Sequence, residues 1–193
     1  MYTEIEVKLP IPDLELAKQK LNEINTRIKQ HRHFEDNYVM DTPDERIRQS
    51  GCLFRIRIVK PVDDESCRRV PAILTFKGQT KIKDGLKNRE EIECTIDPPE
   101  NFIRALEHLG YVLKFRYQKY RTVYGFDQKQ IHVCTDELPI GNFFELEGPP
   151  EEIHEVAEKL GYSRNDYITD SYGGLYYQWV KSKGHEPLHM VFE

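Results

Sequence analysis

The chain has no apolar run long enough to span a bilayer, and its N-terminus has no basic segment followed by an apolar stretch. A soluble, cytoplasmic protein with no membrane partner is the expectation. The four cysteines, Cys52, Cys67, Cys94 and Cys134, form no Cys-x-x-Cys pair, which argues against a zinc knuckle or a redox motif. Reduced thiols are expected rather than disulfides. There is no Gly-x-x-x-x-Gly-Lys loop and no Gly-x-Ser-x-Gly elbow, so neither a P-loop nucleotide enzyme nor a serine hydrolase is indicated. Positive charge in excess is missing too: the formal net charge is -5, and no overall field draws the protein to nucleic acid. No low-complexity block divides the 193 residues. One domain over 1–181 is expected, with a loosely held tail over 182–193.

What the chain has in quantity is charge, at 32% of residues against 38% hydrophobic, so its placement decides the reading. Thr3 to Leu9 alternates: Glu4, Glu6 and Lys8 point one way, Ile5, Val7 and Leu9 the other, as side chains do along a strand. Asp13 then caps a helix whose Leu14, Ala17, Leu21 and Ile24 recur at helical spacing. Further strands are expected over 52–59, 72–77, 89–96, 115–124, 131–136 and 143–147. Lys60 to Val70 reads as a hairpin loop and Gly78 to Asn88 as a longer basic one.

One unit recurs. A strand with glutamates two apart (Glu4 and Glu6, Glu91 and Glu93, Glu145 and Glu147) precedes an amphipathic helix each time. The second and third helices open on Pro98-Pro99-Glu100 and Pro149-Pro150-Glu151 and both close on Leu-Gly-Tyr. This reads as an internal structural repeat, although convergent helix-start and glycine-stop signals produce the same match.

The same-face ionic residues are Glu4, Glu6, Glu91, Glu93, Asp136, Glu145 and Glu147 against Lys8, Arg55, Arg57, Lys77, Arg89, Lys119 and Arg121. Their opposite faces carry Ile56, Ile58, Leu74, Phe76, Ile92, Cys94, Phe144 and Leu146. Amphipathic helices can cover the apolar side, which leaves the ionic side to water or to an enclosed polar cavity. An open antiparallel sheet with one solvated face produces this alternation as well. Against that stands the grouping of like charges in Arg-x-Arg and Glu-x-Glu, which is costly unless opposite charges or a ligand intervene. Paired carboxylates hold hard divalent cations, and arginine and lysine meet phosphate oxygens. A metal-bound polyphosphate needs both.

In sequence order the chain carries Glu4-Ile5-Glu6-Val7-Lys8, Glu35-x-Asn37-x-x-x-Asp41-Thr42-Pro43-Asp44, and Gly51 leading to Leu53-Phe54-Arg55-Ile56-Arg57. Thr75-Phe76-Lys77-Gly78, Arg89-Glu90-Glu91-Ile92-Glu93, Lys119-Tyr120-Arg121, and Asp136 followed by Leu138, Gly141 and Phe144-Glu145-Leu146-Glu147 complete the set. With these residues it resembles the CYTH superfamily, or triphosphate tunnel metalloenzymes, from Glu4 to about Tyr176. Within that superfamily it looks most like the class IV adenylyl cyclase branch, on the Lys-x-Arg strand, the Leu138 to Glu147 ending and Ser171-Tyr172 beyond.

The resemblance implies an α+β fold: an eight-stranded antiparallel closed β-barrel, or tunnel, with an ionic interior and helices packed outside. It implies Mg or Mn held by Glu4, Glu6, Asp136, Glu145 and Glu147, with Glu91 and Glu93 binding metal or orienting basic residues. Lys8, Arg55, Arg57, Lys77, Arg89, Lys119 and Arg121 would grip the triphosphate, with Lys87 from the basic loop as a further candidate. Catalysis would fall to Glu4, Glu6, Lys8 and Arg121. The expected reaction is that of an adenylyl cyclase, ATP to cyclic AMP and pyrophosphate. An inorganic or thiamine triphosphatase and a non-catalytic polyphosphate-binding module are the alternatives. The expected partner is a small triphosphate, and a homodimer is allowed for.

Other features read more plainly. His31, His33, His185 and His189 read as surface histidines rather than metal ligands. Lys81 and Lys83 read as a solvated hairpin, and Trp179 and its neighbouring tyrosines as packing residues before base-stacking ones.

Overall fold

Thr3–Ile11 forms strand β1 because its two faces differ chemically. Val7, Leu9 and Ile11 are buried in an apolar cluster, while Glu4, Glu6 and Lys8 are buried among charged groups. The structure is a computed structural model and describes residues 3–62, 71–186 and 188–193. Most of the expected loop from Lys60 to Val70, with Cys67 in it, lies outside the described residues. After β1 come α1 (Leu14–Glu23), β2 (Arg27–Asp41), α2 (Arg46–Gln49), β3 (Leu53–Pro61), β4 (Ala72–Lys77), β5 (Lys81–Lys83) and β6 (Leu86–Ile96). Then follow α3 (Pro99–His108), β7 (Val112–Gly125), β8 (His132–Leu138), β9 (Gly141–Glu147), α4 (Pro150–Lys159) and α5 (Tyr172–Ser182).

The strands run antiparallel in the order β1-β9-β8-β7-β2-β3-β4-β6, with β5 added beyond β6. Glu4 pairs with Arg89 and Glu6 with Lys87, so β1 and β6 join the two ends. The expected eight-stranded closed barrel is present, with β5 as an extra strand. Closure removes the sheet edges and turns one face inward. Strand parity sends Glu4, Glu6 and Lys8 into the interior, where they meet Lys77, Lys87 and Glu145 from β4, β6 and β9.

β2 has no counterpart among the strands expected from periodicity, although it is 15 residues long. Its register with β7 shifts at Ile28/Gln30, Gln30/His33 and Val39/Met40. Each irregularity breaks the alternation that marks a strand in sequence. The expected loop from Gly78 to Asn88 is likewise a hairpin of β5 and β6, turning through Asp84 and Gly85, both at positive φ.

The recurrent helices α1, α3 and α4 are each ten residues long. Each ends on a residue in the left-handed region, Asn25, Gly110 or Gly161. The amide of that residue and the next return to carbonyls of the last turn, as with Gly161 to Glu158 and Tyr162 to Ala157. α1 and α4 share one core, where Leu21, Ile153, Val156 and Leu160 meet Val7, Leu9 and Leu146. α3 packs Leu106 and Phe102 on Ile56 and Leu74. Among the described residues no helix is long and apolar enough to cross a membrane.

α5 differs from the other helices. Its Tyr172, Leu175 and Tyr176 pack against Val39, Phe115, Tyr117, Leu138 and Phe143, which share inward parity with Asn37, Lys119, Asp136 and Glu145. It therefore stoppers one end of the barrel. The stretch expected to be a loose tail secures it: Met190 is 1% exposed in the same cluster. The Gln118 amide donates to the Met190 carbonyl, and the Met190 amide to the Arg116 carbonyl, both at 2.9 Å. These bonds use a part of β7 that precedes its pairing with β8, which starts at Tyr120.

Candidate functional site

The barrel interior holds a cavity of about 1160 Å³. Every residue expected in the site lines it except Asp136, including Glu4, Glu6, Lys8, Lys87, Arg121, Glu145 and Glu147.

On the β1 and β9 wall the register sets Lys8 opposite Glu145 and Glu6 opposite Glu147. Lys8 Nζ lies 3.0 Å from Glu6 and 3.4 Å from Glu145, and Lys87 Nζ reaches Glu6 at 2.7 Å. Lys77 Nζ sits 2.6 Å from Glu4 and 3.1 Å from Glu91. Glu93 is exposed and accepts from the Thr75 hydroxyl at 2.8 Å. Lys87, from the segment expected to be a solvated loop, is 5% exposed, while Lys81 and Lys83 face solvent.

The β7 and β8 wall is organised from below. Asp136 is fully buried and accepts from Arg121 Nε at 2.6 Å, Arg121 Nη2 at 2.5 Å, Lys119 at 3.1 Å and the Tyr172 hydroxyl at 2.6 Å. Its carboxylate is thus taken up in holding cations, and the structure places it behind the cavity surface rather than on it. Arg121 Nη2 also donates to Glu145 at 2.6 Å, which ties the two walls together.

β3 supplies two arginines. Arg57 donates to the Asn37 side-chain oxygen at 3.0 Å and lies 3.3 Å from Glu35. Arg55 donates to the Tyr117 hydroxyl and to the Thr75 hydroxyl, both at 3.1 Å, and its buried Nε has no partner among the described residues. Arg89 donates to the carbonyls of Gly78 and Lys77.

Burial opposes every one of these charges, and the neighbours decide the outcome. Burial raises the Glu6 carboxyl, but Lys8 and Lys87 overcome it and hold the group well below the usual carboxylate range. Glu145 is held low against burial by Arg121 and Lys8, and Glu35 by Arg57 and Lys119. The Glu4 carboxyl is raised, by burial and then by repulsion from Glu6 and Glu91, despite Lys77. Lys87 is lowered by burial, with Lys8 and Arg89 adding repulsion that Glu6 does not offset. A bound polyanion would reverse that last imbalance.

Sequence reasoning missed Glu35, Tyr117 and Tyr172 as parts of the site. Glu35 is 2% exposed and lies 3.4 Å from Lys119. Tyr117 lies two residues before Lys119 in the same inward alternation, a signal present in the sequence. His33 corrects the expectation of surface histidines: it is buried beside the site, with Nδ1 2.9 Å from the His31 carbonyl and Nε2 3.4 Å from Glu35. His189 is also engaged, its Nδ1 accepting from the Arg116 amide. Cys134 is buried, and burial pushes its thiol up to about 12.

Among the described residues no group of three or more His, Cys, Asp or Glu side chains stands in ligating geometry. The donor chemistry nevertheless fits a hard divalent cation, since Glu4, Glu6, Glu145 and Glu147 bring carboxylate oxygens to neighbouring strands of one cavity wall. The raised Glu4 carboxyl marks crowded negative charge that such a cation would relieve.

No curated protein matches the chain. Among solved structures, a candidate adenylate cyclase from Vibrio parahaemolyticus is similar over 88% of this chain and 94% of its own, at 18% identity and a TM-score of 0.72. A protein from Pyrococcus horikoshii covers 91% of this chain and 99% of its own, at 23% identity and a TM-score of 0.71. A candidate adenylyl cyclase from Hippeastrum, reported to have a dominant triphosphatase activity, covers 97% of this chain and 98% of its own, at 18% identity and a TM-score of 0.62. These likenesses show a shared fold. The CYTH domain matches residues 2–172, and with its closed ionic barrel the chain belongs to the CYTH domain family.

Proposed function

We propose that the protein is a metal-dependent enzyme acting on the triphosphate group of a nucleotide, converting ATP to cyclic AMP and pyrophosphate. The observation that carries this reading is the barrel cavity whose wall interleaves lysines and arginines with carboxylates. Lys8, Arg55, Arg57, Lys77, Lys87, Arg89, Lys119 and Arg121 hold the phosphoryl oxygens, and the unmatched Arg55 Nε and the lowered Lys87 are groups that an anion would satisfy. Glu4, Glu6, Glu145 and Glu147 hold Mg or Mn. Glu91 orients Lys77 and Arg55, and Glu93 orients Arg55. Asp136, expected from the resemblance as a ligand, fastens Lys119 and Arg121.

A metal ion held by Glu4, Glu6, Glu145 and Glu147 would neutralise phosphoryl charge and ease loss of the nucleophile's proton to solvent. The basic side chains hold the substrate in line and stabilise charge on the leaving oxygens as the ribose 3′-oxygen bonds to the α-phosphorus and pyrophosphate departs.

Hydrolysis of the terminal phosphate of a nucleoside, thiamine or inorganic triphosphate is the second reading. The triphosphatase activity of the Hippeastrum neighbour favours it, and the same phosphate grip serves a water nucleophile. Incubation with ATP and Mn, with products resolved by chromatography, separates the two. Cyclic AMP with pyrophosphate is expected. Inorganic phosphate without cyclic AMP overturns the cyclase reading in favour of the triphosphatase. Tight binding of tripolyphosphate without turnover under any divalent metal leaves a binding module.

A further inference from the structure

Tyr172 opens α5 and is 6% exposed. Two ammonium groups lie over its ring, Lys8 Nζ at 5.1 Å and Lys119 Nζ at 5.4 Å from the centroid. Its hydroxyl donates at 2.6 Å to Asp136 Oδ2, the oxygen that also accepts from Arg121 and Lys119. Lys8 stands on β1 and Lys119 on β7, with β9 and β8 between them in the sheet. Backbone pairing sets where the two lysines start, but not how far apart their ammonium groups come to rest. That depends on the side chains they meet in the interior, and Tyr172 contacts both.

The ring suits this place. An aromatic face attracts ammonium groups without adding a further negative charge to lysines that already meet carboxylates, Lys8 with Glu6 and Lys119 with Asp136. The helix that delivers the ring is firmly seated: Ser171 accepts from the Gly174 amide at 3.1 Å, Phe143 packs 5.7 Å from the Tyr172 ring, and Tyr176 donates to the His189 carbonyl at 3.0 Å. Met190 fills the same cluster.

We propose that Tyr172 is a positioning residue of the anion site: its ring sets the spacing of Lys8 and Lys119, and its hydroxyl holds Asp136 and so aims Lys119 and Arg121. Cations from opposite parts of the barrel thereby converge on one ligand. The inference rests on the reading of the cavity as a triphosphate site.

The test is calorimetric titration of inorganic tripolyphosphate into wild-type protein, Tyr172→Leu and Tyr172→Phe, with melting temperature and steady-state kinetics on ATP and Mn measured beside it. Tyr172→Leu removes ring and hydroxyl, and Kd is expected to rise about tenfold or more, with KM rising further than kcat falls. Tyr172→Phe restores the ring but not the hydroxyl, and Kd is expected to rise about threefold. A Tyr172→Leu protein that melts earlier yet binds tripolyphosphate as the wild type does has lost only packing, which overturns the proposal. So does a Tyr172→Phe protein with wild-type Kd, and that variant decides alone if Tyr172→Leu does not fold. Failure of the wild-type protein to bind tripolyphosphate overturns the triphosphate reading itself, before any variant is compared.

Discussion

On the β1 and β9 side of the tunnel the carboxylates of Glu4, Glu6 and Glu145 form the cavity surface, whereas on the β7 and β8 side Asp136 lies beneath it, covered by the cations it holds. Both sets are buried, and both face inward from alternating strands. They differ in depth. A carboxylate under its lysine and arginine fixes where those cations point. One beside them at the surface remains open to exchange partners when a ligand enters. Arg121 belongs to both settings, with Asp136 on one side and Glu145 on the other.

Breaking that link has the largest expected effect. Arg121→Ala leaves Asp136 and Glu145 buried with fewer cations, and removing one partner of a buried pair costs about 3–5 kcal/mol. Urea denaturation is expected to show a loss in that range, and a loss under about 1 kcal/mol would mean that the two walls are held independently. The contrast between depths is sharpened by Asp136→Asn against Glu6→Gln. The first is expected to lower the unfolding midpoint more, because Lys119 and Arg121 lose a shared anchor. The second is expected to lower metal-dependent turnover about 100-fold or more with the fold intact. Full activity in Glu6→Gln would make that carboxylate structural.

A smaller effect reads the open wall directly. Tripolyphosphate with Mn at about 100 times Kd is expected to stabilise the protein by about 2.7 kcal/mol. No shift in melting temperature would leave the ionic interior without a ligand.

The mildest probe is acid. Glu35 and Glu145 are held below their ordinary range in the folded state, against about 4.3 when unfolded. Their contribution is complete above the unfolded value and is lost as pH falls through the folded ones, so their share of stability is expected to be level from neutral pH to about pH 5 and to decline below it. Glu35→Gln should flatten that decline, and an unchanged acid limb would show that Glu35 is not one of the groups responsible.

The parts legible in sequence were those with clean alternation. β1 and β9 show it in Glu4-Ile5-Glu6-Val7-Lys8 and Phe144-Glu145-Leu146-Glu147, and β7 in Lys119-Tyr120-Arg121. β2 was illegible because its register shifts break the period, and Glu35 went unassigned with it. Lys87 was ambiguous because a basic hairpin and a basic loop have the same composition, and the difference lies in the pairing of β5 with β6. The tail was misread because Met190 shows its role only against Tyr117 and Tyr172.

By itself the sequence determined which side chains share a face, since side chains alternate along a strand whatever its neighbours are. The tertiary structure alone decided that the ionic face closes on itself, that Asp136 sinks behind the cavity while Glu145 borders it, and that α5 stoppers one end. Those outcomes depend on pairings between distant residues, such as Lys77 with Glu4, 73 positions apart, and Arg116 with Asp36, 80 apart. Local periodicity carries no information about which strand a given strand will meet.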